Sequence, residues 1–299
     1  MRYVDIAALW DSGALNAGFV AIKPSPAGQQ VYQTIRQLTS EAGIDDQQAF
    51  NQAVRSMKKW NQQDEIVLRV KVLDKKQFVS GVEYFEKSRR KIPKPDDECK
   101  ALSGPKSECP LVVHNNWIVS KEAKIYRFRE HLMWLYDGDD QYYSSETRKY
   151  LTYTNTKPTT TQGQISALKT ALAIGHLLNR AVILPRFHCL QECLLNSFIH
   201  IKTFDTSFSG HYRESSFLQH PKVPDSVKHS VVDRRYTVTN QTSTDVHISR
   251  TEILHLFGEL NARILNVGKL RQVKVDLDDS EFNSRLQTAF RRAHYRQIH

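Results

Sequence analysis

Asn16-Ala17-Gly18-Phe19-Val20-Ala21-Ile22, then Ser25-Pro26, then Asp45-Asp46-Gln47-Gln48-Ala49-Phe50-Asn51: the order of these three pieces decides the fold. The apolar run 16–22 predicts a short strand, and Gly18 in it lets the backbone approach a ligand or neighbour closely. Ser25-Pro26 predicts a helix start, with serine as N-cap and proline in the first turn. Val31, Ile35 and Leu38 share one face of that helix. A loop through Gly43 leads to a second helix opened by acids, with Ala49, Phe50 and Val54 on its apolar face. On local evidence Asp45 and Asp46 read equally well as dipole partners of the helix start and as site carboxylates.

Taken together, N-x-G-F on a strand, a proline-started helix and D-Q-x-x-F-N resemble the C-terminal half of the nucleotide-diphospho-sugar transferase family. These are GT-A type glycosyltransferases, including plant arabinosyl-, xylosyl- and galactosyltransferases. The resemblance implies that Asn16 and Gly18 line the sugar-donor site. It implies that Asp46 and Gln47 stand near the transferred sugar or the acceptor. Further on, Pro110-Leu111-Val112-Val113-His114-Asn115-Asn116-Trp117-Ile118-Val119-Ser120-Lys121 reads as an apolar strand ending at a histidine, then polar residues and a helix. It resembles the H-x-N-x-x-x-G-K stretch near the end of the same fold. There the histidine joins a bound divalent metal or the diphosphate, so His114 is the expected metal contact, with Asn116 and Lys121 on the donor side. Ser120 stands where many relatives have glycine. Manganese would suit imidazole, carboxylate and diphosphate oxygens around one hard ion. The Asp-x-Asp strand that supplies its other ligands in such enzymes is not found before Asn16. Asp137-Gly138-Asp139-Asp140 comes at the wrong place in the order, after an expected helix 121–136 with Ile125, Phe128, Leu132 and Leu135 as its stripe; it reads as a turn.

Across 299 residues the net charge is +10, of which the second half carries +7. That balance suits nucleotide diphosphates, anionic glycans or nucleic acid, and no base-reading motif favours the last. No stretch is apolar enough to span a membrane. The chain begins almost on top of a mid-family motif, so the resemblance implies a longer type II membrane protein of the Golgi lumen, anchored by a segment not in this sequence. Arg89-Arg90-Lys91 lies in a Pro- and Lys-rich surface loop. The spacings of Cys99, Cys109, Cys189 and Cys193 match no common zinc pattern, and their disulfide state stays open between a Cys99–Cys109 staple and reduced thiols.

Polar residues 157–164 place an expected boundary between a GT-A part, 1–155, and an accessory α/β domain, 156–299. The second part opens with a helix through Ile165, Leu168, Leu172 and Leu177, then Asn179-Arg180 and a buried strand from Ala181 ended by Pro185. Helix, N-R and V-I-L-P resemble the first helix and second strand of fucosyltransferase-like Rossmann units. Arg186-Phe187-His188 would lie at that strand's carboxyl end. Residues 200–248 show few periodic runs. Ser249-Arg250-Thr251-Glu252 is a capping box, Arg263–Gly268 a strand, and Phe282, Leu286 and Phe290 the buried face of a last helix. The expected function is transfer of a sugar from a nucleotide-diphosphate sugar, UDP-linked by resemblance, to a glycan or glycoprotein hydroxyl. The alternative is a non-catalytic glycan- or anion-binding remnant of such an enzyme.

Overall fold

The protein is described by a computed structural model covering residues 4–60, 66–87, 110–155, 160–188, 192–193, 195, 198–234, 246–270 and 273–290. The basic cluster 89–91 and Cys99, Cys109 and Cys189 lie outside the described residues. The architecture is mixed α/β with several parallel sheets, in two compact units, Met1–Ile118 and Val119–His299. The division falls at 118/119 and not at 155/156, because the strand before residue 156 and the helix after 159 belong to one βαβ layer of the second unit.

In the first unit β1 (Ile6–Asp11) and β2 (Ala14–Ile22) form a hairpin, and β3 (Val70–Val72) joins β1 in parallel, for the order β2-β1-β3. Helices α1 (Pro26–Glu41) and α2 (Asp46–Trp60) cover this sheet. Their Val31, Phe50, Ala53, Val54 and Met57 pack with Ile6, Ala8, Leu15 and Leu68 into one core. The expected start of α1 is found: the Ser25 hydroxyl accepts the Gly28 N–H at 3.2 Å. It also donates to Asp5 at 2.6 Å, which ties the helix start to the start of β1. The strand expected through 66–73 is shorter, paired only over Val70–Val72. β4 (Phe78–Ser80) and β5 (Val112–His114) pair in parallel beside it.

The second unit begins with α3 (Lys121–Glu130), not the longer helix to 136; the chain leaves helical geometry at Leu132, whose φ is +55°. The apolar stripe fails as a guide because the buried face of α3 is Ala123, Tyr126, Arg127 and Glu130, while Leu135 is exposed. Next come β6 (Tyr150–Thr154), α4 (Thr161–Leu177), β7 (Ala181–Ile183), the antiparallel pair β8 (Phe187–His188) and β9 (Glu192–Cys193), α5 (Ile201–Phe208) and β10 (Tyr212–Arg213). α6 (Asp225–Lys228), β11 (Val231–Asp233), β12 (Val246–Ser249), α7 (Arg250–Phe257), β13 (Ile264–Lys269), β14 (Val273–Asp276) and α8 (Ser280–Phe290) follow. Five strands make an all-parallel sheet, β10-β7-β6-β13-β11, whose order reverses direction at β6. This is a doubly wound, Rossmann-like arrangement. The Arg180 guanidinium clips it, donating to the carbonyls of Tyr150, Leu260 and Ala262. Ser249 and Glu252 form the expected capping box on α7.

A polar cluster lies beside β10. The Tyr142 ring is sandwiched by the guanidinium carbons of Arg129 at 3.6 Å and Arg213 at 4.0 Å, and its hydroxyl donates to Glu214 at 2.7 Å. Such cation–π contacts gain strength when desolvated, and Arg213 and Glu214 are fully buried. Nearby, burial pushes the Glu130 carboxyl up to about 8 and drives the His131 imidazole down to about 4, with Arg127 adding to the second shift. A carboxyl raised on folding contributes stability that is present below its unfolded value and lost as pH rises through its folded value. A depressed imidazole contributes stability that is present above its unfolded value and lost on acidification. The two oppose each other up to about pH 6.5, above which only the carboxyl term changes. Urea melts of the second unit are therefore expected to lose stability between pH 6.5 and 8. Glu130→Gln is expected to reduce that loss, with Glu214, raised by burial in the same direction, supplying the remainder.

Candidate functional site

The N-A-G-F stretch sits at a break in the β1–β2 ladder. Ala8 pairs with Val20 but the next residue, Leu9, pairs with Asn16, so Ala17, Gly18 and Phe19 bulge out of register. A bulge strands backbone donors and acceptors that the sheet would otherwise satisfy. Side chains take them up. The Ala17 N–H donates to Gln47 Oε1 at 2.9 Å, and the Gly18 N–H donates to Asn16 Oδ1 at 2.8 Å. Gln47 and Asn51 both donate their amide N–H to the Leu15 carbonyl, at 2.6 and 2.8 Å, and Asn51 Oδ1 accepts the Leu15 N–H at 3.1 Å. Thus D-Q-x-x-F-N places two amides one helical turn apart, where both face β2.

Gly18 is where the bulge meets β5. A Cβ built on it would stand 2.8 Å from both Cε1 and Nε2 of His114 and 3.1 Å from Asn16 Oδ1. Only a glycine admits the imidazole at that distance, so Asn16, Gly18 and His114 converge. Asp46 sits at the exposed start of α2, with its Oδ1 accepting the Gln47 N–H at 2.8 Å. Asn116 bridges two elements, donating to Asp11 Oδ2 at 2.6 Å and accepting the Gly81 N–H at 2.8 Å. Lys121 opens α3 in the second unit.

Two residues that motif reading passed over belong to this edge. Asp11, the last residue of β1, accepts from Asn116 and also from the Trp117 indole N–H at 2.5 Å. Trp117 holds φ at +58°, an uncommon conformation for a bulky residue that costs on the order of 1–3 kcal/mol. The sequence signal was a carboxylate at the carboxyl end of an apolar strand, directly before Ser12-Gly13. Among the described residues no group of three or more His, Cys, Asp or Glu side chains converges. The described residues of the first unit therefore do not by themselves make a cation cage.

Ser120 adopts φ +87° and ψ 153°, a region occupied almost only by glycine. Its hydroxyl also caps α3, accepting the Ala123 N–H at 3.2 Å. Ser120→Gly is expected to stabilise the second unit by about 1 kcal/mol, since glycine relieves the strain and loses only a few tenths as a cap. Ser120→Ala is expected to destabilise it by about 1 kcal/mol, because the strain stays and the cap goes. Both are read by urea denaturation. Gln47→Ala leaves the Ala17 N–H without its acceptor and is expected to cost the first unit about 1–3 kcal/mol in the same assay.

Residues 3–128 match the family described as nucleotide-diphospho-sugar transferase. No curated protein and no solved structure matches the chain. The family match ends inside α3, so the fucosyltransferase-like resemblance of the second unit gains no support from it.

Proposed function

Because residues 3–128 match the nucleotide-diphospho-sugar transferase family, we propose that the bulge of β2 and the end of β5 form the donor side of a glycosyltransferase site. The proposed reaction moves a sugar from a UDP-sugar to a glycan or glycoprotein hydroxyl. The observation that carries it is the convergence of Asn16, Gly18 and His114, the residues that the family order marks, on one patch of backbone. An acceptor hydroxyl attacks the anomeric carbon, the bond from that carbon to the diphosphate oxygen breaks, and the nucleoside diphosphate leaves with the bonding electrons. In this reading His114 and the Asn16 amide meet the departing diphosphate, where preorganised donors act on developing charge. Asp46 is the proposed carboxylate for the hydroxyl proton, supported by its exposure at the start of α2. Gln47 and Asn51 act as positioning residues that hold the bulge open. The reading carries with it a Golgi-lumen setting; no helix among the described residues is long and apolar enough to cross a membrane.

A second reading is a glycan- or anion-binding remnant without turnover, and the observation behind it is that no group of three or more His, Cys, Asp or Glu side chains converges among the described residues. Calorimetry with UDP and transfer from radiolabelled UDP-sugars to mixed glycoprotein acceptors separate the two. The transferase reading expects UDP binding that weakens by about tenfold in His114→Ala and in Gly18→Ala, whose methyl group pushes the imidazole aside, a loss of about 1.4 kcal/mol. It further expects transfer that is lost in Asp46→Asn with UDP binding retained. UDP affinity unchanged in both His114→Ala and Gly18→Ala would sink the assignment. Glycan retention with no transfer from any UDP-sugar would favour the remnant.

A further inference from the structure

Trp117 is the largest side chain at the end of β5, yet 58% of its surface faces solvent. A single exposed apolar residue is ordinary. Two further observations set this one apart. Its indole N–H is pinned at 2.5 Å by Asp11, whose same oxygen accepts from Asn116. Its backbone is held at φ +58°, which a bulky residue adopts only where its surroundings impose it. An indole that is oriented by a carboxylate, strained in its backbone and uncovered on its ring is built to present that ring. Three residues before it, the His114 imidazole rests on Gly18. The ring therefore stands three residues beyond His114 and against Asp11, at the hairpin end of β1.

We propose that Trp117 is a stacking platform for a neutral sugar ring at this site. The inference rests on the transferase reading only for the choice of sugar as ligand. A pyranose presents on one face a set of C–H bonds with positive hydrogens, and the negative face of an aromatic ring matches them. An indole gives the widest such face, and fixing it beforehand removes the entropy that a free side chain would lose on binding. Asp11 contributes by setting the plane of the ring, and Asn116, tied to the Gly81 N–H, holds that carboxylate in place. Asp11 is thus a positioning residue.

Saturation-transfer NMR on the full chain tests this with methyl β-galactoside, methyl β-glucoside, methyl β-xyloside and UDP-galactose as probes. The expected result is saturation of the C–H protons on one sugar face, reduced about tenfold in Trp117→Ala and largely kept in Trp117→Phe. Far-UV circular dichroism checks that both variants fold. Signals lost on the methyl glycosides but kept on UDP-galactose assign the platform to the acceptor sugar, and the reverse pattern assigns it to the donor sugar. Asp11→Asn, which keeps the side chain's size, is expected to broaden the Trp117 indole N–H resonance and to weaken the same signals. Equal saturation in wild type and Trp117→Ala, or none on any sugar in wild type, overturns the proposal. UDP binding without sugar saturation leaves the transferase reading standing and removes the platform; sugar saturation through Trp117 without UDP binding does the opposite.

Discussion

Where β2 leaves its ladder at Asn16, three residues of backbone lose their partners in the sheet, and much of the first unit answers that loss. Half-buried amide groups are costly to leave unpaired, and α2 answers with Gln47, which accepts the Ala17 N–H of the bulge, and with Gln47 and Asn51 together on Leu15 beside it. That fixes α2 in rotation and height against β2. The bulge in turn makes room at Gly18 for His114, and so draws β5 to the hairpin. The spacing of asparagine, glycine and glutamine is therefore one solution to one hydrogen-bonding problem. The candidate site is what that solution leaves exposed.

The second unit is organised by different forces. Its all-parallel sheet is covered by α4, which is buried almost all round. Beside the sheet edge, Arg129, Arg213, Tyr142 and Glu214 hold one another in a desolvated cluster. Breaking one member of such a network leaves an uncompensated buried charge, so the members stand or fall together. The cost of that arrangement is visible in the shifted carboxyl of Glu130 and imidazole of His131.

Much of this was legible in the sequence where a local rule had only one physical outcome. Ser25-Pro26, the Ser249–Glu252 box, α2 with Phe50 and Val54, and the α4–β7 pair all form as their residues dictate. What escaped was set by partners distant in sequence. The end of α3 was misread because Arg127 and Glu130, charged residues, occupy its buried face. Residues 200–234 looked aperiodic because β10 and β11 are two and three residues long, too short to show alternation. In the site, Asn16, Gly18 and His114 were legible through their motifs. Asp11 and Trp117 were not, because only the fold brings residues 106 positions apart into contact.

The division between units at Ile118 and Val119, set against a family match that runs to residue 128, bears on how the chain is cut into modules. A piece ending where the family ends would carry eight residues of α3 without Arg129 and Glu130. It would strip the second unit of Ala123, Tyr126 and Arg127, three of the four buried residues of α3. A piece ending at Ile118 respects both cores but parts His114 and Asn116 from Ser120 and Lys121, which close the same motif. The shared motif is thus a seam: a cut at Ile118 divides the eight-residue signature, and a cut after Lys121 keeps it but takes the Ser120 cap from α3.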